Sequence, residues 1–271
     1  MKKLTSITLI IVLVFTSCDI FEYHQYDTRV KYKNINKENL KRIERITEGK
    51  KEFNFILMGD SQRSYDETRD FVSHVNDKMK DVDFVIHGGD LTDFGMYAEF
   101  ELNHEIMTKL KVPYIALIGN HDMVATGGFI FREMYGKEDF SFIIDDIGFL
   151  CINNNALEVH DDDKYHFAVP DFEFINTTLD SLSKKTKRTI CVMHASPQSE
   201  QVSKEVGEKL HTAYKTSNNL MFCLNAHGHY TVIRDLFKDG IMYYQCSAIF
   251  KRSFLYFKIT PEGYTYEEIN Y

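Results

Sequence analysis

The sequence predicts an α/β fold with a largely buried sheet. Short apolar runs rich in β-formers, at 53–58, 84–86 and 114–118, alternate with amphipathic stretches at 67–79 and 97–110. That is strand–helix–strand alternation. Apart from Asn54 the strand runs are continuously apolar, as in strands covered on both faces. The 271 residues are 44% hydrophobic and 27% charged, with four Pro, 14 Gly and no Trp. Disordered, collagenous and low-complexity classes are thereby excluded. A chain of this mass folds to ~12,000 Å² of surface against ~46,000 Å² unfolded, enough burial for a core without disulfides.

The elements follow in order. Lys2 and Lys3 precede an apolar run, 4–15, which is shorter than the ~20 residues of a bilayer span and matches a signal-peptide core. It ends in Phe15-Thr16-Ser17-Cys18, similar to a bacterial lipobox although Phe15 stands where Leu is usual. We expect residues 1–17 to be removed and Cys18 to be lipidated, with an ordinary secretory signal as the alternative. The expected location is the bacterial cell envelope, anchored to the membrane. Loss of the two lysines takes the formal charge from −8 to −10. This acidic balance argues against a structural nucleic-acid partner.

Residues 18–50 read as a polar tether with one short helix, packing loosely on a domain spanning 51–271. In that helix Leu40, Ile43 and Ile46 share a face, Asn36 would cap the start and Gly49 would end it. Further strand runs lie at 140–144, 149–152, 189–193 and 221–224. The tail reads as strands at 241–246, 254–259 and 264–268, with Pro261-Glu262-Gly263 as a turn. Cys151, Cys191, Cys223 and Cys246 belong to this apolar body and are expected as free thiols rather than a disulfide framework.

Five of the apolar runs end in polar residues suited to metals. Gly59-Asp60-Ser61-Gln62 follows the first, and Gly88-Gly89-Asp90-Leu91-Thr92-Asp93 the second. Gly119-Asn120-His121-Asp122 follows the third, His194 a later one, and Ala226-His227-Gly228-His229 the last. In open α/β sheets the carboxyl ends of strands are where ligands bind. Oxygens of Asp60, Asp90 and Asn120 combined with imidazoles of His194, His227 and His229 suit Mn²⁺, Fe or Zn²⁺ rather than Ca²⁺. With Gln62 the set exceeds one tetrahedral site and fits two metals sharing a carboxylate.

These motifs resemble those of the calcineurin-like metallophosphoesterases, over about residues 53–259. Asp60 and Asp90 are thirty residues apart, as are Asp90 and Asn120. The resemblance implies a four-layer α/β fold, two mixed β-sheets packed as a sandwich and flanked by α-helices. It implies two divalent ions, most consistent with Mn, with Fe or Zn as alternatives. By it Asp60, Gln62 and His229 would hold the first metal, and Asn120, His194 and His227 the second. Asp90 would bridge them. His121, with Asp122 beside it, would assist the leaving oxygen in the hydrolysis of phosphate esters or phosphoanhydrides, a metal-bridging hydroxide attacking phosphorus. Small phosphorylated molecules are the implied substrates.

Two positions depart from the family pattern. Gln62 replaces the usual His. A neutral amide oxygen is a weaker, harder ligand, which inclines the first site towards Mn²⁺ or leaves Gln62 unliganded. Ala226 replaces a Gly, and a shifted register would pair Gly228-His229 with Thr231 and cost the first site its imidazoles. The register using His227 and His229 keeps both. Asp93 is expected to support the neighbouring loops, and Arg63 to reach a substrate phosphate. His87 is expected as a packed polar residue, Ser196 as a cap, and His74, His104 and His211 as solvated. Asp161-Asp162-Asp163 is expected as a solvated loop, and specificity is assigned to 123–134 and 153–170. The rival function is a non-catalytic surface lipoprotein binding a metal or partner; a nuclease is disfavoured by the charge.

Overall fold

The computed structural model describes residues 24, 27–156, 170–217 and 219–271. Cys18, the acidic run at 161–163 and most of the 153–170 segment lie outside them. Among the described residues no helix is long and apolar enough to cross a membrane.

Two mixed sheets pack face to face with helices outside, as the resemblance implies. The first holds β1 (Phe53–Met58), β2 (Phe84–His87) and β3 (Tyr114–Ala116) in parallel, joined by α2 (Tyr65–Lys78) and α3 (Tyr97–Met107). The C-terminal hairpin, β10 (Ser253–Thr260) and β11 (Gly263–Asn270), completes it antiparallel to β1. The second has the order β4–β5–β6–β7–β9–β8. Here β4 is Phe140–Ile144, β5 Ile147–Cys151, β6 Arg188–Val192, β7 Leu220–Asn225, β8 Val232–Asp235 and β9 Met242–Gln245. Its inner strands are parallel, with β4 and β8 as antiparallel edges.

The continuous apolar runs follow from double coverage. Along β1, Phe53, Phe55 and Leu57 point between the sheets, while Ile56 and Met58 face the helices. Along β6, Ile190 and Val192 face inward and Cys191 meets α5 (Phe172–Lys185) and α6 (Lys204–Lys215). The inter-sheet layer is aromatic: Phe55 stacks on Phe84 at 5.4 Å and on Phe257 at 5.0 Å. Offset rings at this spacing add to plain area burial. The four described cysteines are buried free thiols within these layers.

The helix of the expected tether is part of the packed domain. In α1 (Ile35–Thr47), Ile35 and Ile43 are buried against the two cores. Asn36 is no cap. Its amide accepts from the Ala116 N–H at 2.9 Å and donates to the Ala116 carbonyl at 2.8 Å, satisfying the outer edge of β3. Asn34 occupies the cap position at φ 58° without a side-chain bond, and Ile46 faces solvent. The expected specificity segment 123–134 is largely α4 (Gly127–Met134), whose Ile130, Phe131 and Met134 are buried. Sequence patterning did not anticipate α4, α5, α6 or β8. Two of these carry side-chain caps, Asp171 accepting from the Phe174 N–H and Ser203 from the Val206 N–H.

Candidate metal centre

The carboxyl ends of β1, β2, β3, β6 and β7 meet where the two sheets touch. Ala226 explains how closely. A Cβ built on Gly59 or on Gly88 would lie 2.9 Å from the Ala226 Cβ. The first sheet thus gives up side chains so that the second can advance a methyl group, and the alanine fills the space. Gly119 is constrained more tightly, because a Cβ there would meet the Asp90 Oδ1 at 2.1 Å. Asp60, Asp90, His227 and His229 all adopt positive φ, between 53° and 69°. Non-glycine residues in that region cost about 1 kcal/mol or more each and collect at functional sites.

One set of ligating groups is gathered tightly. Atoms of Asp90, His194 and His227 lie within 4.8 Å of one another. The Asn120 Oδ1 is 3.1 Å from both the His194 Nε2 and the His227 Nδ1. The His194 Nδ1–H donates to the Gly88 carbonyl at 2.8 Å, which turns Nε2 towards Asp90, 3.3 Å away. The His227 Nε2–H is directed at the Glu200 carboxylate at 2.6 Å, which turns Nδ1 inward. Each imidazole is thus tied by one nitrogen and presents the other, the arrangement of metal-binding histidines. No motif marks Glu200; it lies in a polar stretch with no signal beyond its charge.

The second set is looser. Asp60 is buried and accepts from the His227 N–H at 3.1 Å, and the His229 Nε2 is 3.9 Å from its Oδ1. The Gln62 amide nitrogen reaches the Asp90 Oδ2 at 3.4 Å, while its Oε1 is buried with no hydrogen-bond partner. A buried, unpartnered amide oxygen beside two carboxylates suits a cation. In the shifted register Thr231 would belong here, but its hydroxyl donates to Glu268 instead.

The electrostatics fit a cation site. Burial pushes the Asp60 carboxyl up to about 7. Burial also opposes ionisation of Asp90, yet His194 and His121 hold it below the ordinary carboxylate value. Burial would lower His194, but Asp90 and Asp60 outweigh it and carry the ring to about 9. Burial lowers both His227 and His229. Without a metal ion the protonated His194 ring balances the buried Asp90 carboxylate, while His227 and His229 stay neutral; a bound cation would take over that balancing role.

His121 stands at the opening, its side chain 29% exposed. Its backbone N–H donates to the Asp90 Oδ1 at 3.0 Å, and its Nδ1–H to the Asp93 carbonyl at 3.0 Å. Asp122 differs from expectation: it is fully buried and does not face the opening. Its carboxylate accepts from the N–H groups of Leu91, Thr92 and Gly119 and from the Thr92 hydroxyl. It latches the loop after β2 to the loop after β3. Arg63 is 71% exposed and ion-paired with Asp93 at 2.6 Å. Asp93 thus touches both Arg63 and His121.

Beneath the site the buried His87 Nε2 meets the Ser61 hydroxyl at 2.7 Å, which also accepts from Asn103 at 2.6 Å. His104 and His211, expected in solvent, are buried on the hydroxyls of Tyr114 and Tyr243. His74 is half-buried against the rings of Phe254 and Tyr271. A cavity of about 280 Å³ opens over Asp60, Gln62, Arg63, His121 and His229. A larger groove of about 840 Å³ between α1 and α5 is lined by lysines and apolar groups without a metal-ligating cluster. Chemistry, not volume, marks the site.

The chain is similar to known proteins in sequence pattern and in fold. The sequence pattern of the calcineurin-like phosphoesterases matches residues 53–231. No curated protein matches the chain at a significant level. Among solved structures, a dimetal phosphatase from Danio rerio aligns with a TM-score of 0.63 at 12% identity, over 81% of this chain and 99% of that one. The purple acid phosphatase PPD1 of yellow lupin (Lupinus luteus) aligns at 0.60 and 15% identity, over 81% of this chain and 51% of that one. GAP50, the anchor in the inner membrane complex of Plasmodium, aligns at 0.57 and 12% identity, over 82% of this chain and 85% of that one. At such identities the likeness shows the fold.

Proposed function

The chain belongs to the calcineurin-like phosphoesterases, and from that premise we propose that it is a metal-dependent hydrolase of small phosphate esters or phosphoanhydrides. The observation that carries this reading is the pair of imidazoles, buried His194 and part-buried His227, each tied by one ring nitrogen and aimed with the other at Asn120 and Asp90. In this reading Asn120, His194 and His227 would hold one divalent ion and Asp60, Gln62 and His229 the other, with Asp90 available to both. The hard amide oxygen of Gln62 favours Mn²⁺ at the first position. Bound divalent ions would supply Lewis acidity and neutralise charge on the phosphoryl oxygens.

The protein's own groups do the rest. His121 donates its Nδ1–H to the Asp93 carbonyl, and the Asp93 carboxylate 3.6 Å from Nδ1 offsets charge on the ring; in this reading its Nε2 meets the leaving oxygen. A water oxygen bonds to phosphorus and gives up its proton to solvent, the bond from phosphorus to the leaving oxygen breaks, and His121, starting as the imidazolium, passes its Nε2 proton to that oxygen and takes one back from solvent. Asp122 holds the loops and touches no reacting atom. Cys18 carries a lipid in this reading and fixes the enzyme to the cell envelope; Cys18→Ala should release it to the soluble fraction.

The test is to strip the protein of metal, restore Mn²⁺, and follow hydrolysis of a monoester, a diester and a diphosphate. Mn²⁺-dependent turnover that falls at least about 100-fold in His121→Ala is the expected result. Turnover unchanged in that variant overturns the role of His121. A second reading, a single-metal or partner-binding protein, draws on the looseness of the Asp60, Gln62 and His229 set. Among the described residues only Asp90, His194 and His227 bring three ligating groups within 4.8 Å. Two Mn²⁺ per chain by metal analysis favours the hydrolase, and one without turnover favours the binder.

A further inference from the structure

Seven large hydrophobic side chains are exposed among the described residues, and three of them, Phe94, Tyr230 and Phe250, border the metal centre. Phe94 follows Asp93, Tyr230 follows His229, and Phe250 lines the cavity over Asp60, Gln62 and His121. Phe250 sits on a short turn of helix, Ile249–Lys251, whose Ile249 N–H donates to the Gly59 carbonyl at 3.2 Å. Its ring stands perpendicular to that of His229, 6.1 Å away.

Each ring also carries a cation. The Arg63 guanidinium lies 5.9 Å from the Phe94 ring, and the Lys251 ammonium 4.9 Å from Tyr230 and 5.0 Å from Phe250. Lys251 has no carboxylate within ion-pair distance among the described residues. Exposed phenylalanines contribute little to folding, and apolar surface concentrated at one opening marks a binding surface. Aromatic faces beside cations suit a flat ring joined to phosphate: the ring stacks, and the phosphate charge meets Lys251 and Arg63.

We propose that this aromatic, cationic rim selects phosphate compounds whose organic group is a flat π-system, a nucleobase or an aryl ring, over those with an aliphatic or sugar group alone. This rests on the hydrolase reading above and names its substrate class. The test uses the Mn²⁺-loaded protein with adenosine 5′-monophosphate, benzyl phosphate, ribose 5-phosphate and glycerol 3-phosphate, all of which release an alkyl alcohol. The expected kcat/KM for the two ring-bearing substrates exceeds that of the other two by about 10-fold or more, the effect of one stacked ring. Benzyl phosphate separates simple ring stacking from recognition of the nucleoside. In the double variant Tyr230→Leu, Phe250→Leu that ratio should collapse towards one, while Tyr266→Leu, at an exposed ring on β11, should leave it in place.

Turnover of all four substrates at equal efficiency overturns this inference and leaves the hydrolase reading standing. If nothing is turned over, the hydrolase reading fails, and calorimetric binding of adenosine 5′-monophosphate against ribose 5-phosphate decides the rim by itself. A ratio near one, with binding to phosphatidylglycerol vesicles lost in the double variant, would make the rim a membrane contact and overturn the proposal.

Discussion

At the scale of single residues, the site depends on groups that never touch substrate. Glu200 is exposed, yet it fixes which nitrogen of His227 faces inward. Partners of this kind are worth about 10–100-fold in metal affinity. Glu200→Ala should weaken Mn²⁺ binding by that factor in a calorimetric titration. Glu200→Gln, which keeps an acceptor oxygen, should recover most of it, whereas equal losses in both would place the effect in charge rather than orientation. Asp122 works the same way on the backbone. Each of its oxygens takes two donors, so Asp122→Asn sets an amide NH₂ against two of them. Leaving buried donors unpaired costs about 1–3 kcal/mol each. We expect about 2–4 kcal/mol less stability in urea, together with lower turnover, because the loop carrying Asp90 and Asp93 loosens.

At the scale of elements, what patterning reveals is set by burial. Strands covered on both faces are written as nearly unbroken apolar runs, Asn54 being the one polar residue inside β1, and β1, β2 and β7 lie within a residue or two of their expected bounds. The ligand motifs were legible for the same reason, since each follows such a run directly. Glu200, Asn36 and the rim aromatics were not legible, because their roles come from contacts between segments far apart in the chain. Asn36 and Ala116 are eighty residues apart. Thus a polar, lysine-rich stretch read as a tether is an edge cover for β3. Deleting it should be costly. A chain begun at residue 51 loses burial of Ile35 and Ile43, about 1.5–3 kcal/mol each, and exposes both Ala116 backbone groups at a strand edge. Its urea midpoint should fall well below that of a chain begun at residue 27; equal midpoints would make α1 an ornament on an independent domain.

At the scale of the whole molecule, two sheets that must meet at one end of their strands place histidines in the interior as well as at the site. His87 lies under the loops that carry Asp60 and Asp90, and His104 between α3 and β3. Burial drives the first down to about 3 and the second to about 4. An unfolded histidine takes its proton near 6.5. Between pH 6.5 and 4 the unfolded chain therefore holds protons that the folded chain refuses, so stability must fall as the pH falls. The contribution of both rings is complete above about pH 6.5 and is progressively lost below it. By linkage the loss at pH 5 is of order 1–2 kcal/mol for each ring. Metal release at low pH would act in the same direction, so the urea midpoint of the native chain alone does not separate the causes. His104→Gln does, because glutamine keeps a partner for the Tyr114 hydroxyl and cannot titrate, and His104 is not among the proposed metal ligands. The drop in midpoint between pH 7.5 and pH 5 should shrink by about half the histidine contribution in this variant. An unchanged drop would remove His104 from the acid sensitivity of the fold.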